Sequence, residues 1–141
     1  MKNEMEKTNE MIERVLQFFP DVLGIYLFGS FQTEYETPES DVDIAILLPL
    51  SSTINSSSRE FRDLLFSLID DFNREVDLIN LRKVDTVFQH EIIQSGRLIY
   101  SSNSYSVEEF EMHTMSYYQK LNEERAEILQ EIVDSGMVLS R

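Results

Sequence analysis

Apolar positions along the chain follow two periods, and the elements change where the period changes. Met11, Ile12, Val15, Leu16 and Phe19 fall on one face of a helix that Pro20 stops. Residues 22–28, Val-Leu-Gly-Ile-Tyr-Leu-Phe, form a short apolar run between Pro20-Asp21 and Gly29-Ser30, which predicts a buried strand. The polar segment 32–40 contains Pro38 and predicts a loop. Residues 41–48, Asp-Val-Asp-Ile-Ala-Ile-Leu-Leu, predict a second strand ended by Pro49. The Ser-rich run 51–58 reads as a flexible surface connector. Phe61, Leu64, Leu65, Leu68, Ile69 and Phe72 then make an unbroken helical stripe, with Ser57 and Glu60 spaced as a capping box.

Residues 75–81 predict a third strand. Val84, Val87, Phe88, Ile92 and Ile93 mark a short helix stopped at Gly96, and residues 97–100 a fourth strand. Ser106 with Glu109 caps a long helix running to about 135–136. Its apolar positions are Val107, Phe110, Met115, Tyr118, Leu121, Ile128, Leu129, Ile132 and Val133. The succession predicts an α/β (α+β) fold, a small mixed sheet with packed helices and a long C-terminal helix. At 141 residues it is expected to be one domain, 1–141, with a core of about 10–100 and a helical extension of about 106–135.

Charge changes the picture of partners. The 26 acidic residues outweigh 12 basic ones, for a net charge of −14. A phosphate backbone would repel such a chain, so direct nucleic-acid binding is not expected, whereas a basic protein partner is easily accommodated. Nine Phe and a 42% hydrophobic content supply a core and argue against disorder. With no cysteine, disulfides, thiolate zinc sites and a cysteine nucleophile are out. The start, Lys2-Asn3-Glu4-Met5-Glu6, is too charged for a signal peptide, and the longest mostly apolar stretch, 22–31, falls short of the ~18–20 residues of a membrane helix. A cytoplasmic, membrane-free protein is expected.

Strand periodicity gathers the candidate chemistry. Asp41 and Asp43, two apart, project from one face of the second strand. Asp77 lies in the third strand between Val76 and Leu78, in a setting that otherwise looks like core. Taken singly, each is an ordinary turn or strand-start residue. If the two strands are neighbours, the carboxylates meet, since paired strands lie ~4.8 Å apart. At an effective dielectric of ~20 and ~5 Å, each charged pair then costs roughly 3 kcal/mol. Such a cluster calls for a cation. Oxygen ligands without histidine or cysteine favour Mg²⁺ or Mn²⁺, and two carboxylates that bridge plus a third suit a two-metal site. Gly29-Ser30 follows the first strand directly. There glycine permits a tight turn, and a helix starting at Ser30 would aim free N–H groups at an anion.

Gly29-Ser30, ten residues, then Asp41-Val42-Asp43 resembles the signature of the minimal nucleotidyltransferases, the superfamily of DNA polymerase β and kanamycin nucleotidyltransferase. Residues 75–79, Glu-Val-Asp-Leu-Ile, continue the likeness. The small size and residues 90–100, His-Glu-Ile-Ile-Gln-Ser-Gly-Arg-Leu-Ile-Tyr, look most like the MntA-type antitoxins. The resemblance covers residues 10–100 and extends loosely into the last helix. It implies a nucleotidyltransferase fold in which Asp41 and Asp43 hold two Mg²⁺ ions, Asp77 binds one of them, and Gly29 and Ser30 position the triphosphate of ATP. It further implies an enzyme, a protein adenylyltransferase that moves AMP from ATP onto a tyrosine of a HEPN-domain, HepT-like RNase toxin. The pair would form a type VII-like toxin–antitoxin hetero-oligomer. Two rival readings are an antitoxin that acts by binding and sequestration alone, and transfer to a small molecule.

Other residues carry candidate chemistry. Arg59 with Arg62, and Arg82 with Lys83, are pairs able to reach phosphates, although solvated charge is the commoner role. His90 and His113 assemble no triad or zinc set by spacing and read as structural. Tyr117-Tyr118 offers a partner contact or modification site, with packing favoured for Tyr118.

Overall fold

The computed structural model describes residues 2–136; the outermost residues of the expected 1–141 domain, Met1 and 137–141, lie outside them. Helix α1 (Glu4–Phe18) begins earlier than its apolar stripe because the Asn3 side chain accepts the Glu6 N–H at 2.8 Å and caps it. There follow β1 (Gly24–Phe28), β2 (Val42–Leu47), α2 (Arg59–Phe72), β3 (Val76–Asn80), a 3₁₀ turn (Leu81–Lys83), α3 (Thr86–Ser95), β4 (Arg97–Ser101) and α4 (Ser104–Ser135). The expected strands and helices are all present.

Helix starts are where the sequence reading fails. Ser58, not Ser57, precedes α2, and it makes no side-chain cap bond. The Ser57 hydroxyl instead donates to Asn55 Oδ1 at 2.6 Å, and the Ser58 hydroxyl accepts the Asn55 N–H at 3.0 Å. A serine run offers its own turn partners, and these win over the capping box. Likewise Asn103, not Ser106, caps α4, its side chain accepting the Tyr105 and Ser106 N–H groups at 3.0 and 3.3 Å. The connector 51–58 is tethered as well: Asn80 Nδ2 donates to the Ile54 carbonyl at 2.9 Å, and Ile54 packs on the core.

The four strands lie in the order β3-β2-β1-β4. β1 is antiparallel to β2 and β4, while β2 and β3 run parallel, joined by α2 as the crossover. One face of the sheet (Ile25, Leu27, Val42, Ile44, Ile46, Leu78) packs on Met11, Val15 and Phe19 from α1 and its end, and on Phe61, Leu64 and Leu68 of α2. The other face (Tyr26, Ala45, Leu47) packs on Ile92 of α3 and on Val107 and Phe110 of α4. Only the first third of α4 is so covered: Ile128, Leu129 and Val133 are 56, 62 and 52% exposed. Among the described residues, no helix is long and apolar enough to cross a membrane.

Candidate active site

The alternation of β2 sends Val42, Ile44 and Ile46 to the α1/α2 face, so Asp43 must point to the α3/α4 face with Ala45 and Leu47. In β3, Leu78 faces α1/α2 and Ile79 the opposite side, which puts Asp77 on the same face as Asp43. The register then makes them neighbours: Asp43 stands opposite Asp77 on β3 and opposite Phe28 on β1. Asp41 lies one residue ahead of β2, in the entering loop rather than in the strand. Asp43 is half-buried, while Asp41 and Asp77 are exposed. Asp77 is therefore not in a core-like setting. Its apolar neighbours in sequence belong to the other face of the strand, and an edge strand leaves its own side open.

Where β1 ends, Gly29 adopts φ +73° and turns the chain. A side chain there would be strained by its backbone and would also collide with the Asp43 carboxylate, since a Cβ at Gly29 would run into Asp43 Oδ2. The glycine thus lets the first strand's turn close directly onto the carboxylate of the second. Ser30 follows, half-buried, and its hydroxyl has no hydrogen-bond partner among the described residues. No helix starts at Ser30, so the anion-binding N-terminus that such a helix would have offered is absent, and the segment 32–40 is the loop its composition predicts. The Thr33 N–H and hydroxyl both close onto the Ser30 carbonyl, at 3.0 and 2.6 Å, and Gln32 takes φ +60°, so the chain leaves helical geometry within one turn.

The electrostatics match the geometry. The Asp43 carboxyl is pushed above the usual range, first by burial and then by the negative charges of Asp77 and Asp41. Among the described residues no three carboxylates are drawn together as a ready-made metal cage; mutual repulsion opposes such closure when no cation is bound. The donors that face one another are all oxygens on an open face, which suits Mg²⁺.

A raised carboxyl is a stability cost at neutral pH. The folded state holds the Asp43 proton more tightly than the unfolded chain, so stability falls as pH rises from about the ordinary aspartate value of 3.8 through the raised one. Asp43→Asn should therefore stabilise the metal-free protein at pH 7. Asp77 is exposed, so the relief is about 1 kcal/mol, near the aqueous Coulomb limit, or about 3–5 °C in melting temperature. Scanning calorimetry with chelator should show that gap at pH 7, shrinking toward zero below pH 4.

The sequence matches the family described as Polymerase beta, Nucleotidyltransferase over residues 10–105, which hold the turn and all three carboxylates. The chain belongs to this nucleotidyltransferase family. A curated relative, the protein adenylyltransferase MntA of Shewanella oneidensis, is 31% identical over 126 residues, covering 89% of this chain and 86% of the relative. Similar solved structures include a toxin–antitoxin complex with AMP-PNP (TM-score 0.75, 29% identity, 89% of this chain and 98% of the other). Another is a tri-AMPylated Shewanella oneidensis HEPN toxin in complex with MNT antitoxin (TM-score 0.73, 27% identity, 93% and 99%). A third is an MntA–HepT toxin–antitoxin complex (TM-score 0.72, 28% identity, 92% and 99%).

Neither basic pair picked out from the nucleotidyltransferase sequence sits at this end of the sheet. α2 starts beyond the far end of β2 and returns over about 20 Å to the start of β3, so Arg59 and Arg62 are remote from Asp43. Arg59 pairs instead with Asp63 at 3.9 Å. Arg82 lies in the 3₁₀ turn past the far end of β3, whose last residue, Asn80, is already about 10 Å along the strand from Asp77, and Lys83 follows it. Nor is Arg82 a solvated charge. It donates to the Leu48 carbonyl at 2.6 Å, lies over the Phe110 ring at 5.3 Å, and burial lowers its pKa against the opposing charge of Glu109. It lines a cavity of about 550 Å³ at that distal end, together with Phe110, His113 and Tyr117. His90 stacks flat on Tyr118, ring centres 3.7 Å apart, and joins α3 to α4. Tyr117 is 64% exposed.

Sequence reasoning passed over the basic groups of the nucleotidyltransferase that do lie at the carboxylate end. Arg74 precedes β3, and Arg97 opens β4 opposite Leu27. Both bond to the spacer between Ser30 and Asp41. Their partners are 34 to 66 positions away in the chain, so no period or motif marks them.

Proposed function

We propose that this nucleotidyltransferase is a protein adenylyltransferase: it transfers AMP from ATP to a tyrosine of a HEPN RNase toxin and thereby silences it. The observation that carries the reading is Asp43, held against the Gly29 turn on one side and in register with Asp77 on the other. A turn that grips phosphate and carboxylates that hold cations are thereby brought to one place. In the reaction the tyrosine oxygen attacks the α-phosphorus, the bond to the β-phosphate oxygen breaks, and pyrophosphate leaves. Gly29 and Ser30 are assigned to the triphosphate, the glycine by close backbone approach and the Ser30 hydroxyl by donating to a phosphate oxygen. Asp41 and Asp43 are assigned to two Mg²⁺ ions and Asp77 to one of them. Bound Mg²⁺ would supply charge neutralisation at the phosphates and the departing pyrophosphate. Asp77, exposed on the open edge strand, is assigned the further role of taking the proton of the acceptor hydroxyl.

The whole chain is read as one working unit. The core of about 10–100 carries the chemistry, and the extension of about 106–135 carries an acidic helix with an open apolar stripe for the toxin. Such a pair would work in the cytoplasm, where its RNase partner acts.

The test is incubation with labelled ATP, Mg²⁺ and a HEPN toxin of the HepT type, with the label mapped by mass spectrometry. AMP on a toxin tyrosine is expected. Label found only on small molecules, or none, would overturn the assignment. In the same assay Ser30→Ala should lower transfer efficiency roughly tenfold to a hundredfold, the loss of one hydrogen bond to a charged group, with melting unchanged. Equal rates would make Gly29-Ser30 a turn and nothing more.

A further inference from the structure

The ten residues between Ser30 and Asp41 form neither helix nor strand, yet they connect the phosphate turn to the metal carboxylates. Two arginines from outside the signature hold them. At the entrance, Arg97 donates from Nη2 to the Phe31 carbonyl at 2.7 Å and from Nη1 to the Gln32 carbonyl at 3.4 Å. At the exit, Arg74 donates from Nη1 to the Ser40 and Thr37 carbonyls at 3.3 and 3.4 Å, and from Nη2 to Glu36 Oε2 at 2.9 Å. Its guanidinium also lies 5.2 Å from the centre of the Phe31 ring.

Glu36 joins the two ends. Its second oxygen accepts the Gln32 N–H at 2.6 Å, fixing the residue that carries the left-handed φ two positions after Ser30. The Arg74–Glu36 pair is mostly buried, at 18 and 24% side-chain exposure, which separates it from ordinary surface ion pairs. One guanidinium therefore ties three parts of the site together. It reaches the turn through Glu36, it binds the carbonyl of Ser40 next to Asp41, and it sits three residues ahead of Asp77.

We infer that Arg74 and Arg97 are positioning residues that hold the Gly29-Ser30 turn at a fixed distance from the carboxylates, so that phosphate and metal sites are in place before the nucleotide arrives. This rests on the nucleotidyl-transfer reading above. The bonds shown for both arginines run to the spacer, Arg97 to the Phe31 and Gln32 carbonyls and Arg74 to Glu36 and the Thr37 and Ser40 carbonyls.

The test uses the full chain with Arg74→Gln, Arg74→Lys and Arg97→Gln. Arg74→Gln should raise KM for ATP and lower kcat/KM tenfold to a hundredfold, with only a small change in melting temperature. Arg74→Lys should recover part of the loss, since one ammonium reaches Glu36 but cannot also span the two carbonyls. Independently of activity, amide exchange should show the Gln32 N–H losing protection in Arg74→Gln and Arg97→Gln while β1 and β2 keep theirs. Unchanged Gln32 protection would overturn the inference. So would loss of protection throughout the sheet, which would make the arginines general fold staples. A parent chain that turns over no nucleotide would instead overturn the functional reading, and the exchange result would still decide the clamp.

Discussion

Replacing Asp41 and Asp43 together by Asn should reduce AMP transfer about a thousandfold or more while leaving a folded protein that still binds its toxin. Both substitutions keep side-chain size. They also remove the Asp43 carboxylate, whose ionised form is disfavoured by burial and by the charges of Asp77 and Asp41, so the metal-free fold should be at least as stable as the parent. On the proposed assignment, what would disappear is the ability to hold Mg²⁺, whose charge neutralisation is worth several kcal/mol at the phosphates, each 1.36 kcal/mol being a factor of ten in rate. The contrast with the parent also appears in melting. Mg²⁺ with ATP at a hundredfold excess over its dissociation constant stabilises a native state by ~2.7 kcal/mol. The double mutant should show almost none of that shift. α4 is untouched, so co-purification with the toxin should persist. A double mutant that protects cells as well as the parent, with no AMP on the toxin, would leave sequestration as the mechanism.

The second large effect is expected at Gly29. Gly29→Ala forces a Cβ onto a backbone at φ +73° and into Asp43 Oδ2. The backbone alone should cost about 1 kcal/mol, and the collision must move either the turn or the carboxylate. Transfer should therefore fall at least a hundredfold, the order of effect expected when reacting groups are displaced by about 1 Å. Gly136 provides the control. It caps α4 at φ +72° with nothing within 4 Å of an added Cβ, so Gly136→Ala carries the backbone strain without the collision. Calorimetry should find similar small losses of stability in both, and the transfer assay should find activity lost only in Gly29→Ala. Full activity in Gly29→Ala would mean that the turn need not touch Asp43.

The elements themselves were legible because they are written in local periods. The stripe of Phe61, Leu64 and Leu68 becomes the buried face of α2, and the apolar runs before Gly29 and after Asp43 become β1 and β2. Helix caps were less legible. Ser57, Ser58, Asn103 and Ser106 all have cap chemistry, and which of them caps depends on which hydrogen bonds its neighbours take first. The loop after Ser30 was legible from its polar residues and Pro38, but not its path, which the bonds onto the Ser30 carbonyl and the left-handed Gln32 set.

By itself the sequence determined the nucleotidyltransferase family, the strand positions of Asp43 and Asp77, and the turn at Gly29. Each is set by short stretches of chain, through strand alternation or a fixed motif spacing. Only the tertiary structure decided that β2 and β3 are parallel neighbours in a register that sets Asp43 beside Asp77. It alone showed that Asp77 is open rather than core-like, that Arg59, Arg62, Arg82 and Lys83 lie at the far end of the sheet, and that Arg74 and Arg97 hold the spacer. Those outcomes depend on strand order and on the direction in which α2 crosses back. They are settled when a sheet of four strands buries both of its faces at once, and no local period records that.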